Sequence, residues 1–168
     1  QHVIKGSNNI WAYIKLPNDV EWGVEAALLG EDEEVDLALI QLGTIPWLAR
    51  SPVQDPMGPS FPWPAPLGSV KDIEAGDEVV ALGYPLEDAN TESNRLPPLV
   101  VTRGAVSRIT NDGVTDVIEH TAELKDGNSG GPLVTNDGLV IGVNAYSSGF
   151  SLEISNAITI DEAIARMN

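Results

Sequence analysis

Seven of the chain's twelve prolines, at positions 46, 52, 56, 59, 62, 64 and 66, fall between Ile45 and Leu67. Proline has a fixed φ and no backbone donor, so neither a helix nor a central strand can cross such a segment. The stretch IPWLARSPVQDPMGPSFPWPAPL is expected to be an extended, semi-rigid connector. It splits the 168 residues into two lobes, 1–45 and 67–168, joined by 46–66.

Both lobes read as strands. NIWAYIKL (9–16) alternates in a strand-like way, Pro17-Asn18-Asp19 is a turn, and VEWGVEAALLG (20–30) returns. After the acidic EDEE, VDLALIQL (35–42) is a short apolar run suited to a buried strand. Beyond the connector, DEVVALGYP, PLVVTRGAVSRI, TDVIEHTAEL, GPLV and LVIGVNAYS read as five more strands. Asn-Asp-Gly occurs at 111–113 and 136–138, each time between apolar runs, which marks hairpins. LEDANTESNRLPP (86–98) is polar and ends in proline, hence an exposed loop, and only IDEAIARMN is helical, with Asp161 as its expected N-cap. The expected fold class is all-β, built from β-barrels with a short C-terminal helix.

Composition narrows the function. The formal net charge of −16 repels phosphate backbones and anionic lipid, so neither nucleic acid nor a membrane is an expected partner of this chain. Without cysteine there is no disulfide, thiolate nucleophile or cysteine zinc site. Two histidines and no HExxH give little for a metal-dependent hydrolase, and residues 31–34 lack the alternating ligands and central glycine of a calcium loop. No metal and no cofactor are expected. Gln1 opens the chain without an initiator methionine, so the N-terminus reads as cut, with any targeting segment upstream.

KDGNSGGPLV (125–134) puts a serine between glycines and ahead of an apolar strand. A serine hydroxyl attacks at neutral pH only when a base takes its proton, a carboxylate orients that base, and backbone N–H groups receive the oxyanion. His2 and His120 are the two imidazoles available. Asp36 stands apart from Glu31, Asp32, Glu33 and Glu34, which read as a solvated acidic loop, because it opens an apolar strand.

The order QHVI, VDLALIQL, GNSGGPLV, that is His, Asp, Ser, resembles the chymotrypsin-type serine proteases, and in detail the bacterial HtrA branch. GDEVVALGYP (76–85) and GLVIGVNA (138–145), followed by an Asn-Ala-Ile strand and a DEA helix, extend the resemblance over nearly the whole chain. It implies a two-lobed double β-barrel with His2 as base, Asp36 as orienting acid and Ser129 as nucleophile. The oxyanion hole would lie at Gly127, Asn128 and Ser129, with the Gly127 and Ser129 amides as its donors. His120 then becomes a strand residue near the specificity pocket. Asn128 replaces the aspartate of trypsin-type zymogens, so activation through a freed N-terminal ammonium is not expected.

By the same resemblance Glu123 and Leu124 lie beside the primary pocket, and Asn144, Ala145, Tyr146 and Ser147 form its other wall. Leu124 favours a small aliphatic side chain; Glu123, if turned inward, favours a basic one. The strand ending at Ala145 and Tyr146 is expected to take substrate backbone as an added strand. Family members have strands before the histidine, so the first barrel is expected to be incomplete in this chain and the activity of this piece is left open. The implied function is serine endopeptidase action on unfolded or extended polypeptide, outside the cytoplasm, with oligomers formed through a segment upstream. A non-catalytic polypeptide-binding module on the same fold is the alternative.

Overall fold

A computed structural model describes residues 4–6, 9–15, 21–44, 64–84, 97–147 and 154–167. The connector through residue 63, the 85–96 loop and His2 lie outside the described residues. The amino-side lobe is a three-stranded antiparallel sheet, β1 (Ile10–Lys15), β2 (Glu21–Asp32) and β3 (Leu37–Leu42), in that order. Among the described residues β1 and β3 are its open edges. Trp11 and Tyr13 share its outer face at 55% and 59% exposure, while Val24 is buried on the other. This open sheet answers to the incomplete first barrel that the sequence implies.

The second lobe is a closed barrel. It runs β4 (Glu78–Gly83), β5 (Val100–Asn111), β6 (Asp116–His120), β9 (Ser155–Thr159), β8 (Val140–Ser147) and β7 (Pro132–Thr135), with β7 pairing back onto β4. Each strand sends a small or branched side chain inward: Val79 and Ala81, Val106, Ile118, Leu133, Ile141 and Ala157. Closure leaves no strand of the barrel unpaired on either side along its whole length, which is what allows such short strands to hold. Both Asn-Asp-Gly signals fall at hairpins; in the first, Asp112 Oδ1 accepts from the Val114 and Thr115 amides at 2.9 Å each.

The sequence reads five strands in this lobe by pattern and a sixth, the Asn-Ala-Ile segment, by resemblance, and the barrel has six. All five residues of β9 are buried, because Ala157 faces the barrel core while Ile158 faces the other lobe. A strand covered on both sides shows no alternation to read. The helix cap is a local expectation that needs correction. The helix α1 (Ile160–Met167) is capped by Thr159, not by Asp161: Thr159 Oγ1 accepts from Glu162 N at 3.2 Å. Asp161 instead accepts from Ser69 Oγ at 3.1 Å and Val70 N at 2.8 Å, which ties the helix to the entry of the barrel.

The lobes meet through Val35, Leu37 and Ile158, buried together against Val143, Ala145, Ala163 and Met167. Arg166 adds a polar tie beside them, donating to Asp32 Oδ2 at 2.9 Å from α1.

His120, the second candidate base, is on β6 at 0% exposure, and neither ring nitrogen has a partner in hydrogen-bonding geometry. Desolvation lowers its pKa from 6.5 to about 4, offset only in part by the Ala122 backbone. Well above pH 6.5 the ring is neutral in folded and unfolded chains alike, and proton uptake makes no difference between them. As pH falls from there toward 4, the unfolded chain takes up a proton that the folded chain refuses, so stability drops. The loss is about 1.4 kcal/mol per pH unit and saturates near ~3 kcal/mol. Denaturant titrations from pH 7 to 4.5 are expected to show this extra slope in the wild type and not in His120→Leu.

Candidate active site

The serine turn is built on two glycines with left-handed backbone, Gly127 at φ 99° and Gly130 at φ 82°. A side chain at either would be strained, so the repeated glycines of GNSGG are a backbone requirement. The turn docks onto β8 by main-chain bonds: Gly130 N donates to Asn144 O, and Asn144 N to Gly131 O, both at 2.8 Å. It is tied within itself by Asn128 N to Lys125 O at 2.9 Å and Gly131 N to Asn128 O at 3.0 Å. Among the described residues, no backbone carbonyl accepts from the Gly127 or Ser129 amides. Two donors beside the hydroxyl are thus left for an incoming oxygen, while the Asn128 amide is committed to the turn.

Ser129 Oγ donates to the Ala145 carbonyl at 2.9 Å. The β8–β9 register slips between Asn144 and Tyr146, so Ala145 sits in a bulge and its carbonyl is turned off the ladder toward the serine. On its other side the turn rests on the end of β4. A Cβ on Gly83 would overlap the Asn128 side chain, and one on Gly131 would overlap the Leu82 carbonyl. This contact explains the second glycine of GDEVVALGYP, Gly83. Asn128 and Asn144 are each 1% exposed, and Asn144 Nδ2 donates to Pro132 O at 3.2 Å. Each keeps its Oδ1 without a partner.

Asp36 approaches from the other lobe. It follows a turn folded by Asp32, whose Oδ1 accepts from Glu34 N at 3.0 Å and Val35 N at 3.4 Å. It then enters β3 with φ 57°, a left-handed conformation that aspartate tolerates better than most residues. Its neighbours Val35 and Leu37 are anchored in the apolar contact between lobes. Asp36 and Ser129 line one cleft of about 580 Å³, together with Asn144, Ala145, Leu39 and Ile164. Ile4, two residues beyond His2 in the chain, lines the same cleft.

Of the residues singled out in the sequence, the fold therefore brings together Asp36, Ser129, Asn144 and Ala145. Tyr146 and Ser147 continue β8 beyond them, paired through their backbones with β9. Glu123 and Leu124 stand outside the cleft lining: Glu123 is exposed, its carbonyl accepting from Thr102 Oγ1 at 2.9 Å, and Leu124 packs on the barrel core. Sequence reasoning missed the floor of the cleft, formed by Ile158 of β9 and by Ala163, Ile164 and Met167 of α1. It also missed that Asp32 and Glu34 of the acidic run face a cation, Arg166, at 2.9 and 3.5 Å. A single arginine in the last helical turn of a strongly acidic chain was the available signal.

The model of the trypsin-like peptidase domain family matches residues 1–143. Human serine protease HTRA4 is 34% identical over 144 residues, covering 86% of this chain and 26% of the human protein. A periplasmic DegP-like serine endoprotease of Hahella chejuensis is 30% identical over 174 residues, covering 99% of this chain and 31% of that protein. The chain thus spans a third or less of the length of these relatives. Among solved structures, the HtrA-type protease AlgW with a decapeptide superposes with a TM-score of 0.72 at 29% identity, covering 99% of this chain and 45% of that one.

The contact of Gly83 with Asn128 yields a direct expectation. Gly83→Ala should lower stability by roughly 1–3 kcal/mol through overpacking. Asn128→Ala in the same chain should recover part of that loss, and a double-mutant cycle by chemical denaturation measures the coupling.

Proposed function

The chain belongs to the trypsin-like peptidase domain family, and from that premise we propose that it carries the catalytic machinery of an HtrA-type serine endopeptidase. Its substrate is unfolded or extended polypeptide. The observation that carries this reading is the cleft lined by Asp36 of one lobe and Ser129 of the other, with Ile4 on the same lining.

On this reading His2 takes the Ser129 proton as Oγ attacks the peptide carbonyl, and Asp36 fixes the imidazole tautomer and stabilises its cation. The Ser129 hydroxyl first leaves the Ala145 carbonyl that it now addresses. The oxyanion forms against the Gly127 and Ser129 amides. The C–N bond breaks as the imidazolium returns its proton to the leaving amine, and water, deprotonated by the same imidazole, hydrolyses the acyl-enzyme.

Extended substrate is favoured by the geometry of β8. Its pairing with β7 ends at Val143, and Tyr146 and Ser147 pair only with β9 among the described residues. The edge beyond the serine turn is open to an added strand, which recognises backbone rather than sequence. In keeping with its periplasmic relative, the protein is assigned to an extracytoplasmic compartment.

Fluorophosphonate labelling tests the reading. The full-length protein should label at Ser129 and not in Ser129→Ala, and Asp36→Asn should lower kcat for a peptide substrate by about 1,000- to 10,000-fold. Binding of unfolded polypeptide without labelling would instead mark a scaffold that has lost its chemistry.

A further inference from the structure

The turn that delivers Asp36 is secured from the far end of the chain. Asp32 uses one carboxylate oxygen to fold the turn, through the Glu34 and Val35 amides, and offers the other to Arg166 Nη1 at 2.9 Å. The guanidinium reaches three further groups. Nε donates to Glu162 of α1 at 2.7 Å, Nη2 donates to the Val114 carbonyl in the β5–β6 hairpin at 2.8 Å, and Nη1 lies 3.5 Å from Glu34. One planar cation thus links the helix, a barrel hairpin and the turn of the opposite lobe. Asp36 enters β3 directly after this turn with φ 57°, a conformation that persists only when its surroundings hold it.

We propose that Arg166 is a positioning residue for Asp36: by pairing with Asp32 from an anchorage on Glu162 and Val114, it sets the turn that aims the Asp36 carboxylate into the cleft. The inference rests on the triad reading given under Proposed function. Isolated surface ion pairs contribute little to stability. This one is different in kind, because the side chains of Arg166 and Asp32 are only 23% and 25% exposed, and a guanidinium fork fixes the directions of its acceptors. What it supplies is geometry, and nucleophile–base–acid arrays lose rate steeply when one member shifts by about 1 Å.

The test compares Arg166→Ala, Arg166→Lys and Asp32→Asn in the full-length protein, with Asp36→Asn as reference. Peptide hydrolysis is followed across pH, and melting is measured in parallel. Arg166→Ala should lower kcat by roughly 10- to 100-fold with KM within about twofold. The acid limb of kcat/KM should also move to lower pH, because an imidazolium that loses its carboxylate gives up its proton more readily. Arg166→Lys should recover only part, since an ammonium replaces the fork by a point charge. A lowered melting temperature with kcat and the acid limb unchanged would make Arg166 a clamp between lobes and nothing more, and would overturn the proposal. Should Arg166→Ala fail to fold, Asp32→Asn decides in the same way, because it keeps a turn-folding oxygen while removing the ion pair. Full activity in Asp36→Asn would sink the triad reading and this proposal together. Loss in Asp36→Asn with none in Arg166→Ala or Asp32→Asn would sink this proposal alone.

Discussion

Closure of the barrel at β4 and β7 is the constraint from which the geometry of the serine turn follows. β7 begins immediately after GNSGG, so once it is hydrogen-bonded to β4 through Val79, Val80 and Ala81, the turn has one place to go. It lies across the end of β4 and against the start of the β8 bulge. Contact with β4 is so close that Gly83 and Gly131 cannot carry a Cβ without displacing Asn128 or the Leu82 carbonyl. The turn is positioned by backbone packed against backbone, the stiffest support a small all-β lobe can offer.

The other half of the cleft is held differently. The three-stranded sheet has open edges among the described residues and exposes Trp11, Tyr13 and Leu29, so its own core is thin. It is located against the barrel by a few apolar side chains around Val35 and Leu37, and by charge pairing with Arg166. In a chain with 25 acidic and 9 basic residues, cations are scarce. The carboxylates of Asp32, Glu34 and Glu162 share one, Arg166.

Much of this was legible in the sequence, and the exceptions have physical reasons. Alternation, apolar runs and hairpin residues made β1 to β8 readable, although β3, read as a buried strand, exposes Leu39, Ile40 and Leu42. β9 is buried on both faces and carries no period, and only its resemblance to an Asn-Ala-Ile strand marked it. The Gly-Asn-Ser-Gly-Gly turn was readable because its glycines answer a local backbone need. The partners of Asp161, Asp32 and Arg166 were not, because a carboxylate at a helix start or in an acidic run looks solvated until a residue remote in sequence arrives beside it. His120 offers the reverse case: an imidazole that composition makes a candidate base turns out to be sealed in the barrel wall with neither nitrogen engaged.

The bulge at Ala145 has a consequence for how such a chain can drift. The carbonyl that receives the Ser129 hydroxyl, the two uncommitted amides of the serine turn and the open edge of β8 are all main-chain groups. Short of proline, which removes an N–H, a point substitution cannot delete any of them; it can only bend the path that presents them. Surface side chains are therefore free to turn over across generations while the shape of the serine turn is inherited through the course of the backbone, and a distant descendant can keep that turn with few recognisable letters besides its glycines.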